Sequence, residues 1–233
     1  MKTVAIIAAG GSGRRMGGGK RKQYLRLDGI PILVHTLRIF QESQAVDAIY
    51  LVVPESDIEQ TRRQVVQSYG LPKVHRILAG GAQRQDSVRN GLIALNEDCG
   101  IVVIHDGVRP FVSRELLGAA VEGAKQNGAV TVGVPVKDTV KKVDASGSVV
   151  ETLDRDGLWL IQTPQAFRRD IIEAAHGQAH RKGYYGYDDA ILVEKMGFPV
   201  RMIPGSYNNI KITTREDLAV AEVLLKRGRT GGA

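Results

Sequence analysis

Several common protein classes are excluded by what this chain lacks. One cysteine, Cys99, stands among 233 residues, so no intrachain disulfide can form and a reducing compartment is expected. Aromatic residues make up 5% of the chain, which leaves few stacking platforms for unpaired bases. No apolar run approaches the roughly 20 residues of a membrane-crossing helix. The first such run, residues 4–9, is too short for the core of a secretory signal and passes straight into glycine and arginine. A soluble, cytoplasmic protein is the expectation. The net charge of +7 and pI of about 9.6 invite a nucleic-acid reading. Against it stand the scarce aromatics and the place of the basic residues, which gather among the glycines of one loop rather than along a helix face.

What is present fits an ordinary globular core, with 43% hydrophobic and 24% charged residues and no tract too polar to fold. Short β-branched runs alternate with amphipathic segments, the pattern of a mostly parallel sheet flanked by helices. Strands are predicted at 3–9, 48–53, 73–79, 101–105 and 129–136. The near-continuous apolar character of TVAIIAA, IVVIH and VTVGVPV suits strands buried on both faces. Helices are predicted from Pro31 and over 57–68, 84–95 and 113–126, the last with Ser113 as its cap. After residue 158 the same rhythm predicts a strand at 159–162, a helix over 168–180, a helix over 188–196 begun by the Asp188–Asp189 pair, a strand at 200–203 and a helix after Thr213. LLKRGRTGGA at the end reads as a solvated tail.

The rhythm fails once. KDTVKKVDASGSVVETLDRD has valines on either side of a Ser-Gly turn with polar flanks, a β-hairpin pattern. Residues 137–157 are therefore predicted to leave one domain of 233 residues as an arm. A lone hairpin has little core of its own, so docking on a second copy of the chain is the expectation.

The opening stretch poses the functional question. Arg14, Arg15, Lys20, Arg21, Lys22 and Arg26 follow directly on the first strand, with six glycines beside or among them. The phosphate loop G-x-x-x-x-G-K-[ST] fails here, because Arg14 stands where its first glycine should be and Arg21 follows the lysine. The dinucleotide fingerprint fails at Met16. A basic glycine loop outside both patterns still suits a polyphosphate: mobile backbone N–H groups can wrap it, Arg15 offers a planar fork and Lys22 a point charge.

AAGGSGRRM and KRKQYL, within residues 8–25, resemble the nucleotidyltransferases that activate sugar and polyol phosphates. GGAQRQDSV (80–88) and HDGVRP (105–110) narrow the resemblance to the cytidylyltransferases. DRDGLWLIQTPQAF (154–167) and NNIKIT (208–213) are similar to the family acting on 2-C-methyl-D-erythritol 4-phosphate. The match runs from about residue 2 to residue 225. It implies a Rossmann-like sheet of the nucleotide-diphospho-sugar transferase type, CTP as donor, Mg²⁺ as cofactor and a homodimer, with neither nucleic acid nor membrane as partner.

The resemblance also implies roles. Ala8, Ala9, Gly10, Gly11 and Gly13 would wrap CTP through their backbone, and Gly81, Ala82 and Ser87 would read cytosine. Arg15 and Lys22 would stabilise the transition state at the α-phosphorus. Asp106 would sit beside the ribose and the magnesium-triphosphate, with Arg109 on the acceptor side. Lys211, placed by its alternating neighbours in a strand, would hold the acceptor phosphate with help from Thr163 and Tyr187. Thr139 and Arg155 from the arm of the other subunit would close that pocket. Three residues depart from the family pattern: Ala82 where Asp is frequent, Tyr187 where a smaller hydroxyl is common, and Arg21 in place of proline. His105 reads as packed beneath the sheet end. The nearest alternative, a ribitol-5-phosphate cytidylyltransferase, tends to lack the D-R-x-G-L-W segment that is intact at 154–159. A non-catalytic nucleotide- or RNA-binding module would be expected to lack one of Arg15, Lys22 and Lys211, and all three are present.

Overall fold

The computed structural model describes residues 1–11 and 21–230. Its strands are β1 Lys2–Ala8, β2 Arg26–Leu27, β3 Ile30–Pro31, β4 Ala48–Val53, β5 Val74–Ala79, β6 Cys99–Asp106, β7 Ala129–Pro135, β8 Val140–Val143, β9 Val149–Leu153, β10 Trp159–Arg168 and β11 Arg201–Pro204. Seven of them form one sheet in the order β11-β7-β10-β6-β1-β4-β5. Within it β10 runs antiparallel to both neighbours, while the other pairs are parallel.

The central strands are buried along nearly their whole length, as their apolar runs require, and the period of two sorts their side chains onto two faces. Ala5, Ile7, Ile49, Leu51 and Val103 point to one core, with Leu33, Phe40, Leu117 and Val121. These come from helices α1 Ile32–Glu42 and α4 Arg114–Asn127. Val4, Ile6, Tyr50, Val52 and Ile104 point to the other, with Val88, Leu92, Ile172 and Leu192. Here the covering helices are α3 Arg84–Ile93, α5 Arg169–Arg181 and α6 Ala190–Glu194. Both faces are therefore closed, and only the strand ends remain for a ligand. The Ser113 cap is present, its Oγ accepting from the Leu116 N–H at 3.1 Å. The main chain after α4 turns at Gly128 with φ +83, a conformation that favours glycine.

Several local expectations change. The helix expected over 57–68 splits into a 3₁₀ turn, a short α2 Ile58–Thr61 and a π segment over Arg62–Gln67. That widened turn brings the consecutive Val65 and Val66 to the same core. Helix α1 begins at Ile32, because Pro31 is taken into a two-residue ribbon with Arg26. Strand β10 runs on to Arg168 through Pro164 rather than stopping at Gln162. The register slips between Gln162 and Gln165, and a bulge is where a sheet tolerates a residue with no N–H. The final helix, α7 Arg215–Thr230, takes up most of the predicted tail. Lys211 lies in irregular chain before α7 rather than in a strand.

The arm is a separate two-stranded sheet, β8 against β9. Asp144 Oδ1 accepts from the N–H groups of Ser146 and Ser148 and so closes its turn. Val143, Val149 and Val150 are 55–60% exposed, so the arm buries little against its own chain.

Candidate active site

The parallel strands end together. Ala8 of β1 is the register partner of Asp106 of β6, and the ladder continues into the loops beyond. Ala9 N–H donates to Val52 O at 2.8 Å, Gly80 N–H to Val53 O at 2.7 Å and Gly107 N–H to Ala8 O at 2.9 Å. Three loops thereby surround one cleft of about 450 Å³. Ala8, Ala9, Gly10 and Gly11 form one wall, Gly81, Ala82 and Ser87 another, and Lys22, Asp106 and Lys211 line the same space. Gln23, buried behind Lys22, donates from Nε2 to Ala9 O at 2.7 Å and ties the far end of the glycine loop to the sheet.

The second wall depends on a close approach. A Cβ on Gly81 would fall 2.3 Å from the Cβ of Asp86, so no other residue fits without moving the start of α3. That start is closed by a capping box between Gln83 and Asp86. Ser87 Oγ accepts from Gly81 N–H and donates to Gln83 O, both at 3.1 Å. A hydroxyl oxygen has two lone pairs, which leaves one for an N–H of a bound base.

A charged knot lies at the floor. Asp106 accepts from Arg84 Nε at 3.1 Å on Oδ1, and on Oδ2 from Lys211 Nζ at 2.9 Å and Arg109 Nε at 3.4 Å. Burial by itself would raise the carboxyl's pKa. The charges of Arg84, Lys211 and Arg109 outweigh it and hold Asp106 well below the usual carboxylate range. A second cleft of about 420 Å³ opens on the other side, lined by Arg109, Thr163 and Tyr187 among others. It shares Arg84, Asp106 and Lys211 with the first. Tyr187 is fully exposed at this cleft.

His105 lies under the knot, as the sequence suggests, wholly buried and against the Phe40 ring at 5.0 Å. Its Nε2 faces Arg109 O at 3.1 Å and its Nδ1 faces Thr163 Oγ1 at 3.0 Å. A carbonyl only accepts, so Nε2 carries the proton and Nδ1 accepts from the threonine hydroxyl. Thr163 Oγ1 in turn accepts from Asp106 N–H at 3.1 Å. This chain holds the turn from Asp106 to Arg109, and burial pushes the His105 pKa down to about 4. Between that value and the ordinary 6.5 the unfolded chain binds more protons than the folded one. His105 therefore costs nothing above pH 6.5, and stability falls as pH drops from 6.5 through 4, by about 3 kcal/mol in all. Urea titrations across this range should show that loss in the wild type and a flatter dependence in His105→Phe. Equal slopes would overturn the assignment.

Gly13 and Arg15 lie outside the described residues. Thr139 and Arg155 are exposed on and beside the arm and line neither cleft, Arg155 donating to Lys137 O at 2.6 Å. Asp188 does cap α6, its Oδ1 accepting from Ile191 N–H at 3.0 Å. Asp189 does not cap: it is fully buried and ion-paired to Arg84 at 2.6 Å. Arg84 is the main residue that sequence reasoning missed, although it stands within GGAQRQDSV. Asn209 was missed too: it is buried, accepts from Arg109 Nη1 at 2.7 Å and donates to Thr163 O at 2.9 Å. A run of amides such as NNIKIT carries no signal that one of them is buried under a distant turn.

Residues 3–227 match the family model described as IspD: 2-C-methyl-D-erythritol 4-phosphate cytidylyltransferase. A protein of that description from Syntrophus aciditrophicus is 52% identical over 226 residues, 97% of each chain. Another from Pelotomaculum thermopropionicum is 52% identical over 225 residues, 97% of this chain and 94% of its own. Among solved structures, the 4-diphosphocytidyl-2C-methyl-D-erythritol synthase of Anaerococcus prevotii superimposes with a TM-score of 0.86 at 35% identity, covering 97% of this chain and 96% of that one. The Thermus thermophilus cytidylyltransferase does so at 0.80 and 32% identity, covering 97% of this chain and all of its own.

Proposed function

The chain belongs to the 2-C-methyl-D-erythritol 4-phosphate cytidylyltransferase family, and on that premise we propose how its two clefts divide the work. The enzyme transfers CMP from CTP to 2-C-methyl-D-erythritol 4-phosphate, giving 4-diphosphocytidyl-2-C-methyl-D-erythritol and pyrophosphate, a step of isoprenoid biosynthesis. The division rests on one observation: Arg84, Asp106 and Lys211 line both clefts. CTP would occupy the first, with cytosine against Gly81, Ala82 and Ser87 and the triphosphate along Gly10, Gly11 and Lys22. The acceptor would occupy the second, its phosphate held by Lys211 with Arg109, Thr163 and Tyr187 beside it.

An acceptor phosphate oxygen forms the new bond to the α-phosphorus as the bond to pyrophosphate breaks. That oxygen is already ionised near neutral pH, so the step needs no general base. The histidine nearest the site, His105, is accordingly free to serve the scaffold. What remains for the protein is to align two anions and to stabilise the charge that builds on the α-phosphoryl oxygens. Lys22 would serve the second need, together with Arg15.

Among the described residues Asp106 is the one carboxylate lining the nucleotide cleft, and no group of three acidic, His or Cys side chains there could hold a metal. That set fits Mg²⁺ arriving on the triphosphate, since the ion keeps phosphate and water oxygens and takes one or two carboxylates. Asp106 would be its protein ligand, exchanging one of its cationic partners. Bound there, the ion would neutralise phosphate charge.

The exposed arm valines, with Leu160 and Ile161 at its base 56% and 41% exposed, support a homodimer in which Thr139 and Arg155 reach the partner's acceptor cleft. Arg155→Ala should then raise the acceptor KM about tenfold, the scale of one charge-assisted hydrogen bond, with the CTP KM nearly unchanged. An unaltered acceptor KM would rule that contact out. No described helix is long and apolar enough to cross a membrane, and the buried lone Cys99 fits the reducing cytoplasm. Pyrophosphate release from CTP and Mg²⁺ with each polyol phosphate tests the reading as a whole. Turnover of ribitol 5-phosphate as fast as methylerythritol phosphate would refute the substrate assignment.

A further inference from the structure

The transfer chemistry uses neither of two buried groups that stand behind Arg84. Asp189 is fully buried and His176 is 2% exposed. Asp189 Oδ2 accepts from Arg84 Nη1 at 2.6 Å and its Oδ1 accepts from His176 Nε2 at 3.1 Å. The three residues come from α3, α5 and the chain just before α6. The main chain of Asp189 is held as well: Gln165 Oε1, itself buried, accepts from the N–H groups of Asp189 at 3.1 Å and Ala190 at 3.3 Å. The acid is thus fixed at both its backbone and its side chain.

Stability is a weak reason for such an arrangement, because buried ion pairs are often matched by well-packed apolar residues. Its location offers a better one. Arg84 is the guanidinium common to both clefts. Its Nε is bound to Asp106 and its Nη1 to Asp189. A planar fork pinned at two nitrogens has its third direction set. Nη2 donates to no group among the described residues and remains for a substrate oxygen.

We propose that Asp189, oriented by His176, is a positioning residue that aims Arg84 at the junction of the nucleotide and acceptor clefts. The role rests on the CMP-transfer reading and deepens it: Arg84 touches the reacting anions, and the buried pair acts only through Arg84. Misplacement of such a group by about 1 Å can cost about a hundredfold in rate.

A double-mutant cycle tests this. Arg84→Ala and Asp189→Asn should each lower kcat/KM by about ten- to a hundredfold, and the double variant should be no slower than Arg84→Ala alone. His176→Leu should lose about tenfold, while His176→Gln, whose amide nitrogen can replace Nε2 as donor, should stay within about threefold of wild type. The Kd for CTP, measured by calorimetry, should follow the same cycle. Losses that multiply in the double variant, or His176→Gln as impaired as His176→Leu, would overturn the role. If Asp189→Asn fails to fold, the His176 pair decides alone. If the wild type releases no pyrophosphate, the transfer reading fails, and the CTP Kd values still judge the positioning role.

Discussion

Lys22→Ala should slow CMP transfer by about a hundredfold or more in kcat, with a smaller change in the KM for CTP. Lys22 lines the nucleotide cleft beside Gly11 and begins the 3₁₀ turn Lys22–Tyr24. Gln23, next in the chain, ties this turn to Ala9 O, so the lysine stands on a fixed support at the end of the glycine loop. Charge on the α-phosphoryl oxygens is greatest when both the entering and leaving oxygens are partly bonded. A cation held there in advance is worth more in that state than against bound CTP, and losing one preorganised contact of this kind costs about 10²–10³ in kcat. Lys22→Arg keeps the charge but changes a compact ammonium into a planar fork, and should recover only part of the rate. Steady-state kinetics with saturating CTP and acceptor would check both. A Lys22→Ala enzyme as fast as wild type would remove the residue from the mechanism.

Asp106→Ala should be the most destabilising change at the site. The carboxylate is 8% exposed and sits among Arg84, Lys211 and Arg109. Its removal leaves Lys211 and Arg109 without their counter-charge and Arg84 with Asp189 alone, and breaking a buried pair in this way costs about 3–5 kcal/mol. For a chain of this size that lowers Tm by about 6–20 °C. The same folded-state preference for the charged form has a pH signature. Asp106 is held below its ordinary pKa, so its contribution is present above about pH 4 and is lost as pH falls below that value. The gap in stability between wild type and Asp106→Ala should therefore close in acid. Inorganic pyrophosphate should restore more Tm to the variant than it adds to wild type, because an anion replaces the missing charge. A Tm within about 2 °C of wild type would contradict the account.

Much of this is legible in the sequence, and the reason is local. A strand buried on both faces must be apolar throughout, so β1, β4 and β6 announced themselves. The arm was legible because its valines alternate with charges and flank a Ser-Gly turn. The site loops were legible because close backbone approach demands glycine at positions such as Gly81. Strand β10 was half lost for an equally local reason: proline suggests an end, and only the bulge beside β7 shows how the strand continues.

By itself, then, the sequence determined the α/β class and the arm, which depend on residue types at short spacings, while the nucleotide loops and the reaction were legible through motifs that resemble a known family. Only the tertiary structure decided which charges meet. Arg84 and Asp189 are 105 residues apart, Arg109 and Asn209 are 100, and Asp106 shares its floor with Lys211 from the other end of the chain. Electrostatic attraction depends on distance in space and on exclusion of water, and neither is written in the order of residues.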